Sequence, residues 1–180
     1  RDGERTIVSS GYSNCTWNKL SEVKNFQSLL VDRYSIPNIK NSITEIKKSG
    51  VFVVQAGYEY PIDYEIDFLV VSKDEIDVIE AENLLNNELV SRILLTHSNL
   101  PARLISSEGA IEITPPDFKT INATGAGDVT AAYIAANGVE DIISTIKNAC
   151  AAGAILAGTG ELPTLEKIAE ISELVDVSPR

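Results

Sequence analysis

Short apolar, β-branched runs alternate along this chain with segments whose apolar residues recur every three or four positions. The runs at Arg5–Ser9, Ser28–Val31, Val51–Gln55, Asp67–Val71 and Ile93–Thr96 read as strands, most of them too uniformly apolar to have a wet face, as in a buried parallel sheet. Ala102–Ser106 and Ala110–Ile113 flank Ser107-Glu108-Gly109 and read as a hairpin. Between the runs, Ile36, Ile39, Ile43 and Ile46 define one helical face, closed by Gly50. Ser72-Lys73-Asp74-Glu75 has capping-box form and is expected to open a second helix carrying Ile76 and Ile79. A third helix is expected from about Asp128 to Gly138, a fourth from about Val139 to Ala157 with Gly158 as its stop, and a fifth after Pro163 with Leu165, Ile168 and Ile171 facing inward. Such alternation predicts an α/β layered domain with a mainly parallel sheet, whose ligands collect at the carboxyl ends of the strands.

Composition narrows the partners. The 180 residues are 44% hydrophobic and 23% charged, which suits one domain, read here as 1–180. A formal net charge of -11 argues against a nucleic-acid face and against a polybasic membrane patch. No apolar run approaches the ~20 residues of a bilayer span and no signal peptide opens the chain, so a cytoplasmic protein is expected. Cys15 and Cys150 lie far apart without metal-ligand spacing and read as reduced thiols. The chain begins with Arg1 and contains no Met.

The residues that point to chemistry are Asn122-Ala123-Thr124-Gly125-Ala126-Gly127-Asp128, followed at once by Val129-Thr130-Ala131-Ala132-Tyr133-Ile134. Glycines let the backbone turn sharply and let a ligand approach it closely. N–H groups at a helix start have no intrahelical partner, and the helix dipole adds partial positive charge, so the turn suits a phosphate. A carboxylate beside that anion is placed to take a proton from an attacking hydroxyl. A bare Gly-x-Gly-Asp at a helix start would more often be an acidic first turn and nothing else. The full run, with Ile121 before it and a small-residue helix after it, resembles the C-terminal signature of the ribokinase-like PfkB carbohydrate kinases.

That resemblance implies a ribokinase-like three-layer α/β/α sandwich with a mainly parallel sheet, matched here over the later part of a family member. It implies ATP and Mg²⁺ as cofactors and a sugar or nucleoside as acceptor. Gly125, Ala126 and Gly127 take the anion hole by resemblance, and Asp128 the role of catalytic base. Asp2-Gly3-Glu4-Arg5-Thr6-Ile7-Val8 is similar to the family's lid strand, making 1–13 a lid remnant and a homodimer an option. Asp67 to Glu75 resembles the strand that leads into the family's Asn-x-x-Glu motif, with Ser72 on the nucleotide side and Glu75 toward the magnesium network. Leu94-Leu95-Thr96 resembles the strand ending in Thr-x-Gly, which puts Thr96 and Ser98 near the nucleotide together with Thr124. Asn148-Ala149-Cys150-Ala151-Ala152 looks like the helix lining the adenine site, with Asn148 as its polar residue.

Departures from the pattern concentrate on the nucleotide side. Ser72 replaces an Asn, Ser98 and Pro101 replace glycines, Asn122 replaces an Asp that often serves a monovalent cation, and Thr130 and Tyr133 replace a Phe and a Gly. Read without the family, Ser72 and Glu75 are a capping box, Ala149 to Gly153 are small residues that permit close helix packing, and the lone His97 is a loop histidine without a triad or metal partner. Three readings stay open at this point: an ATP-dependent phosphotransferase acting on a sugar or nucleoside hydroxyl, a non-catalytic kinase-like nucleotide-binding or regulatory protein, and the same fold with a changed substrate, since the resemblance extends to related kinases of vitamins and nucleosides.

Overall fold

The computed structural model describes residues 26–58, 61–98, 100–138 and 140–179. Among them, seven strands form one sheet in strict chain order: β1 (Ser28–Asp32), β2 (Phe52–Ala56), β3 (Ile66–Ser72), β4 (Val90–His97), β5 (Leu100–Ser106), β6 (Gly109–Thr114) and β7 (Asp176–Pro179). The first four pair in parallel and the last three add on antiparallel. Helices α1 (Ile36–Lys48), α2 (Val78–Asn86), α3 (Ala126–Asn137), α4 (Ile142–Thr159) and α5 (Leu165–Ser172) complete the fold.

The period of two along each strand sorts the core into two layers. Val53, Leu69, Ile93 and Leu95 turn to one face and bury Ile36, Ile39 and Ile43 of α1 and Ala81 and Leu84 of α2. Val54, Phe68, Leu94 and Leu104 turn to the other and bury Ile134 of α3, Ile146 and Ala149 of α4 and Ile168 of α5. The architecture is therefore a three-layer α/β/α sandwich, with the central strands apolar on both faces as their composition demands. β2 and β3 are parallel, and the described residues between them form no helix; Ile62 and Tyr64 of that connection are buried in the α1/α2 layer, where the Tyr64 hydroxyl donates to Gln55 Oε1 at 2.8 Å.

Several sequence expectations shift. Ser72 to Glu75 form a turn, not a helix start: Glu75 Oε2 accepts from the Ser72 N–H at 3.0 Å, but the helix opens only at Val78, capped by Asp77 accepting from the Glu80 N–H at 2.8 Å. Ile76 is buried ahead of that helix and Ile79 is exposed on it. α3 begins two residues before Asp128, with Gly125 as its N-cap in the left-handed region at φ 76°. α4 runs through Gly158 to Thr159, and Gly160 at φ 77° is its cap. Gly158 instead lets Phe118 approach, since a Cβ there would lie 3.2 Å from Phe118 Cβ. Leu165, at the first position of α5, is exposed, while Ile168 and Ile171 are buried. β7 has no counterpart among the expected strands. The Arg5–Ser9 strand and the 1–13 lid fall outside the described residues.

Contrary to the sequence reading, α4 is long and apolar enough by composition to cross a membrane. Here it is the helix at the centre of one layer, packed on α3 and α5. Its crossing with α3 is close because residue 153 is glycine: a Cβ there would sit 2.5 Å from Thr130 Oγ1 and 3.0 Å from the Ala126 carbonyl oxygen. That oxygen and the Ala149 carbonyl both accept from the Thr130 hydroxyl, at 2.9 and 3.3 Å. Gly153→Ala forces the two helices apart and is expected to destabilise the fold by about 1–3 kcal/mol in urea unfolding. A loss below about 0.5 kcal/mol, the scale of an ordinary surface change, would mean that the crossing yields easily.

Candidate active site

A cavity of about 540 Å³ opens at the carboxyl ends of the parallel strands. β1 contributes Asp32, with Arg33 and Tyr34 just beyond it; β2 contributes Ala56, with Gly57 just beyond it; β3 contributes Ser72, with Glu75 in the turn after it; β4 contributes Thr96 and His97, followed by Ser98. The lining is completed by the start of α3, at Ala126, Gly127 and Asp128, and by Cys150, Gly153 and Ala157 of α4.

The turn into α3 is built by local bonds. Asn122 Oδ1 accepts from the Thr124 N–H at 3.0 Å, and the Asn122 and Ile121 N–H groups donate to the Ala157 carbonyl at 3.0 and 2.8 Å. These bonds moor the segment to α4. Gly125 turns left-handed, and the Val129 N–H makes the first helical bond, to the Gly125 carbonyl at 2.9 Å. The N–H groups of Gly127 and Asp128 therefore belong to the first turn, ahead of the helical ladder, where the dipole favours negative charge. The Ala126 N–H donates to the Ala123 carbonyl at 3.3 Å. Thr124 Oγ1 is buried with no hydrogen-bond partner among the described residues, beside this same turn. Asp128 is exposed on the cavity wall, and a Cβ built on Gly125 would lie 3.9 Å from its Oδ2.

At the strand ends, the carboxylate of Glu75 accepts from Arg33 Nη1 in a partly buried ion pair. Gly57, left-handed at φ 79°, makes room for it: a Cβ there would stand 3.2 Å from Arg33 Cδ and 3.5 Å from Glu75 Oε1. Arg33 Nη2 also donates to the Tyr34 hydroxyl at 2.9 Å, with the guanidinium 4.9 Å from that ring's centroid. Thr96 Oγ1 donates to the Val71 carbonyl at 3.2 Å, stitching the ends of β3 and β4. Asp32 Oδ1 accepts from the Ser35 N–H at 2.7 Å.

Of the expected site residues, the structure brings Ala126, Gly127, Asp128, Ser72, Glu75, Thr96 and Ser98 to one cavity. Gly125 and Thr124 shape the turn from behind. Asn148 does not line the cavity; its amide donates to Ser144 Oγ at 3.5 Å. Among the described residues no group of three or more His, Cys, Asp or Glu side chains gathers as a metal site, and Glu75 is engaged by Arg33. Asp32, Arg33 and Gly57 were missed by sequence reasoning, because nothing local marks Arg33 as the partner of a residue 42 positions away. His97, read as a loop residue, ends β4 and faces the cavity.

Fold and cavity together define a three-layer α/β/α protein whose polar site lies where a glycine turn enters a helix. The chain belongs to the pfkB family of carbohydrate kinases, whose sequence profile matches residues 2–164. Its fold is similar to that of a candidate phosphofructokinase from Staphylococcus aureus, at 22% identity and TM-score 0.72 over 97% of this chain. It is also similar to phosphofructokinase-2 from Escherichia coli in complex with substrates and products (16%, 0.69, 85% of this chain). A third similar structure is Arabidopsis thaliana ribokinase with ribose and ATP (18%, 0.69, 82% of this chain). The chain spans 64%, 58% and 56% of the lengths of those three proteins. No curated protein sequence matches it.

The backbone of Ser98 is left-handed at φ 50°. A side chain there is strained, by about 1–2 kcal/mol in general. Ser98→Gly should therefore raise stability by up to about 1 kcal/mol, read as a higher urea midpoint; a lower midpoint would show that the Ser98 side chain contributes more than the strain costs.

Burial pushes the Cys150 thiol up to about 12, so it stays protonated at neutral pH and is a packing group in the cavity's lining. Its unfolded counterpart ionises near 9.0. The folded state binds this proton more tightly, so the associated stability is complete below pH 9 and is lost as pH rises toward 12. Between pH 9 and 11 the urea midpoint of the parent should fall more steeply than that of Cys150→Ala. Parallel curves would refute the assignment.

Proposed function

We propose that this chain carries the phosphoryl-transfer site of an ATP-dependent kinase acting on a hydroxyl of a sugar or nucleoside. The observation that supports this best is the convergence of Gly127 and Asp128, at the open first turn of α3, with Ser72, Glu75 and Thr96 at the strand ends of one cavity. First-turn N–H groups stabilise anionic oxygens at no cost in protein reorganisation, because the mooring bonds to α4 hold them in advance.

In this reading the acceptor hydroxyl attacks the γ-phosphorus, its proton passes to the Asp128 carboxylate, and the bond from phosphorus to the β,γ-bridging oxygen breaks to release ADP. Mg²⁺ supplies neutralisation of the phosphate oxygens when bound. The donor set suits it, since this ion takes one or two carboxylates with the phosphates and waters, and Glu75 and Asp32 are the carboxylates on the strand side of the cavity. Ser72 and Thr96 are the hydroxyl side chains on that side. The chemistry asks for position and electrostatics more than for a reactive side chain, which a cavity with one exposed carboxylate at a helix start satisfies.

Asp128→Asn should lower phosphoryl transfer from Mg-ATP to its best acceptor by about 10²–10⁴-fold, with the circular dichroism spectrum and ADP affinity retained. A panel of sugars, sugar phosphates and nucleosides identifies that acceptor. Undiminished transfer by Asp128→Asn would remove the carboxylate from the proton-accepting role, whereas nucleotide binding without any turnover in the parent would favour a binding or regulatory protein.

A further inference from the structure

The cavity is poor in cations for a site that receives a polyphosphate. Its carboxylates are Asp32, Glu75 and Asp128, and Arg33 is the only Arg or Lys on its wall among the described residues. His97, also on that wall, is the other side chain able to carry positive charge. Nucleotide phosphates entering such a cavity meet like charge unless something offsets it, and in a partly dehydrated cleft that repulsion is only weakly screened.

Arg33 is placed to offset Glu75 in particular. Its Nη1 donates to the Glu75 carboxylate, its stem passes over Gly57, where a Cβ would stand 3.2 Å from Arg33 Cδ, and its Nη2 donates to the Tyr34 hydroxyl at 2.9 Å with the guanidinium 4.9 Å from that ring's centroid. Glu75 is in turn held by the Ser72 N–H at 3.0 Å, so the pair has a defined geometry at the mouth of β3. Salt bridges this exposed add little to folding stability, which leaves local charge and carboxylate orientation as what the arrangement controls.

We infer that Arg33 is a positioning residue of the nucleotide site: by neutralising and orienting Glu75 it sets the charge that the phosphate chain encounters, resting on the phosphoryl-transfer reading above. The effect runs through Glu75, and it is greatest when no divalent cation screens the phosphates. ADP is the probe, measured by calorimetry with the full chain, with EDTA and separately with Mg²⁺. Arg33→Gln should weaken binding of Mg-free ADP by about tenfold and of Mg-ADP by about threefold. Arg33→Lys should stay within about threefold of the parent, since it keeps the charge but not the planar fork. Glu75→Gln alone should bind Mg-free ADP more tightly than the parent, and the Arg33→Gln/Glu75→Gln double variant should return to near-parental affinity.

Restoration in the double variant supports the assignment. Weak binding in both Arg33→Gln and the double variant would mean that Arg33 acts without Glu75, and equal binding by parent and Arg33→Gln would mean that it does not act at all; either overturns the inference while leaving the kinase reading intact. A parent chain that binds no ADP overturns that reading and the inference with it. Should Arg33→Gln misfold, Glu75→Gln decides alone: unchanged or weaker Mg-free ADP binding sinks the idea.

Discussion

The crossing of α3 over α4 is the constraint on which the cavity depends. Two helices approach closely only where a side chain is missing, and Gly153 supplies that gap against the Thr130 hydroxyl and the Ala126 carbonyl. The Ala157 carbonyl then accepts from two N–H groups of the segment leading into the turn. A helix that buries its small residues in one layer of the sandwich thus also sets the height at which the 122–128 segment meets the strand ends. Packing and site geometry are here the same set of contacts, as expected in an interior with no slack.

Under the phosphoryl-transfer reading, electrostatics favours backbone over side chains at this site. A chain of net charge -11 does not attract polyphosphate through its overall field. What it offers is local: the open first turn of α3, whose partial charge falls off within one turn, and a guanidinium already matched to a carboxylate. Such an arrangement discriminates by geometry. An anion gains from the turn only when its oxygens reach the N–H groups, and diffuse attraction contributes little.

Much of the fold was legible because its determinants are local. The β-branched runs mark β1 to β4 within one to three residues, the Ser107-Glu108-Gly109 signal marks the β5–β6 hairpin, and the isoleucine spacing marks α1. Where two local rules compete, the reading slipped. Ser72 to Glu75 satisfy half of a capping box, but the chain leaving β3 makes a turn first, so Asp77 becomes the cap. Gly158 looks like a helix stop because glycine so often is one, yet here it admits Phe118. β7 was invisible because Asp176–Pro179 is short, half polar and stabilised by pairing with β6 more than by its own propensity. In the site, the glycine turn and Asp128 were legible as a contiguous motif. The Arg33–Glu75 pair and the role of Gly57 were not, because they arise from three strand ends brought together by the sheet.

Strand order in the sheet follows chain order, so neighbours in space are mostly neighbours in sequence. The cavity is the exception: part of its lining comes from the end of β1 and part from the start of α3 and the middle of α4. A small molecule bound there bridges the early and late thirds of the described chain, and it has no complete receptor unless both are in place. It therefore acts as a clasp on the whole assembly: held at one hundred times its dissociation constant, it adds about 2.7 kcal/mol to the free energy of opening any part that breaks the cavity.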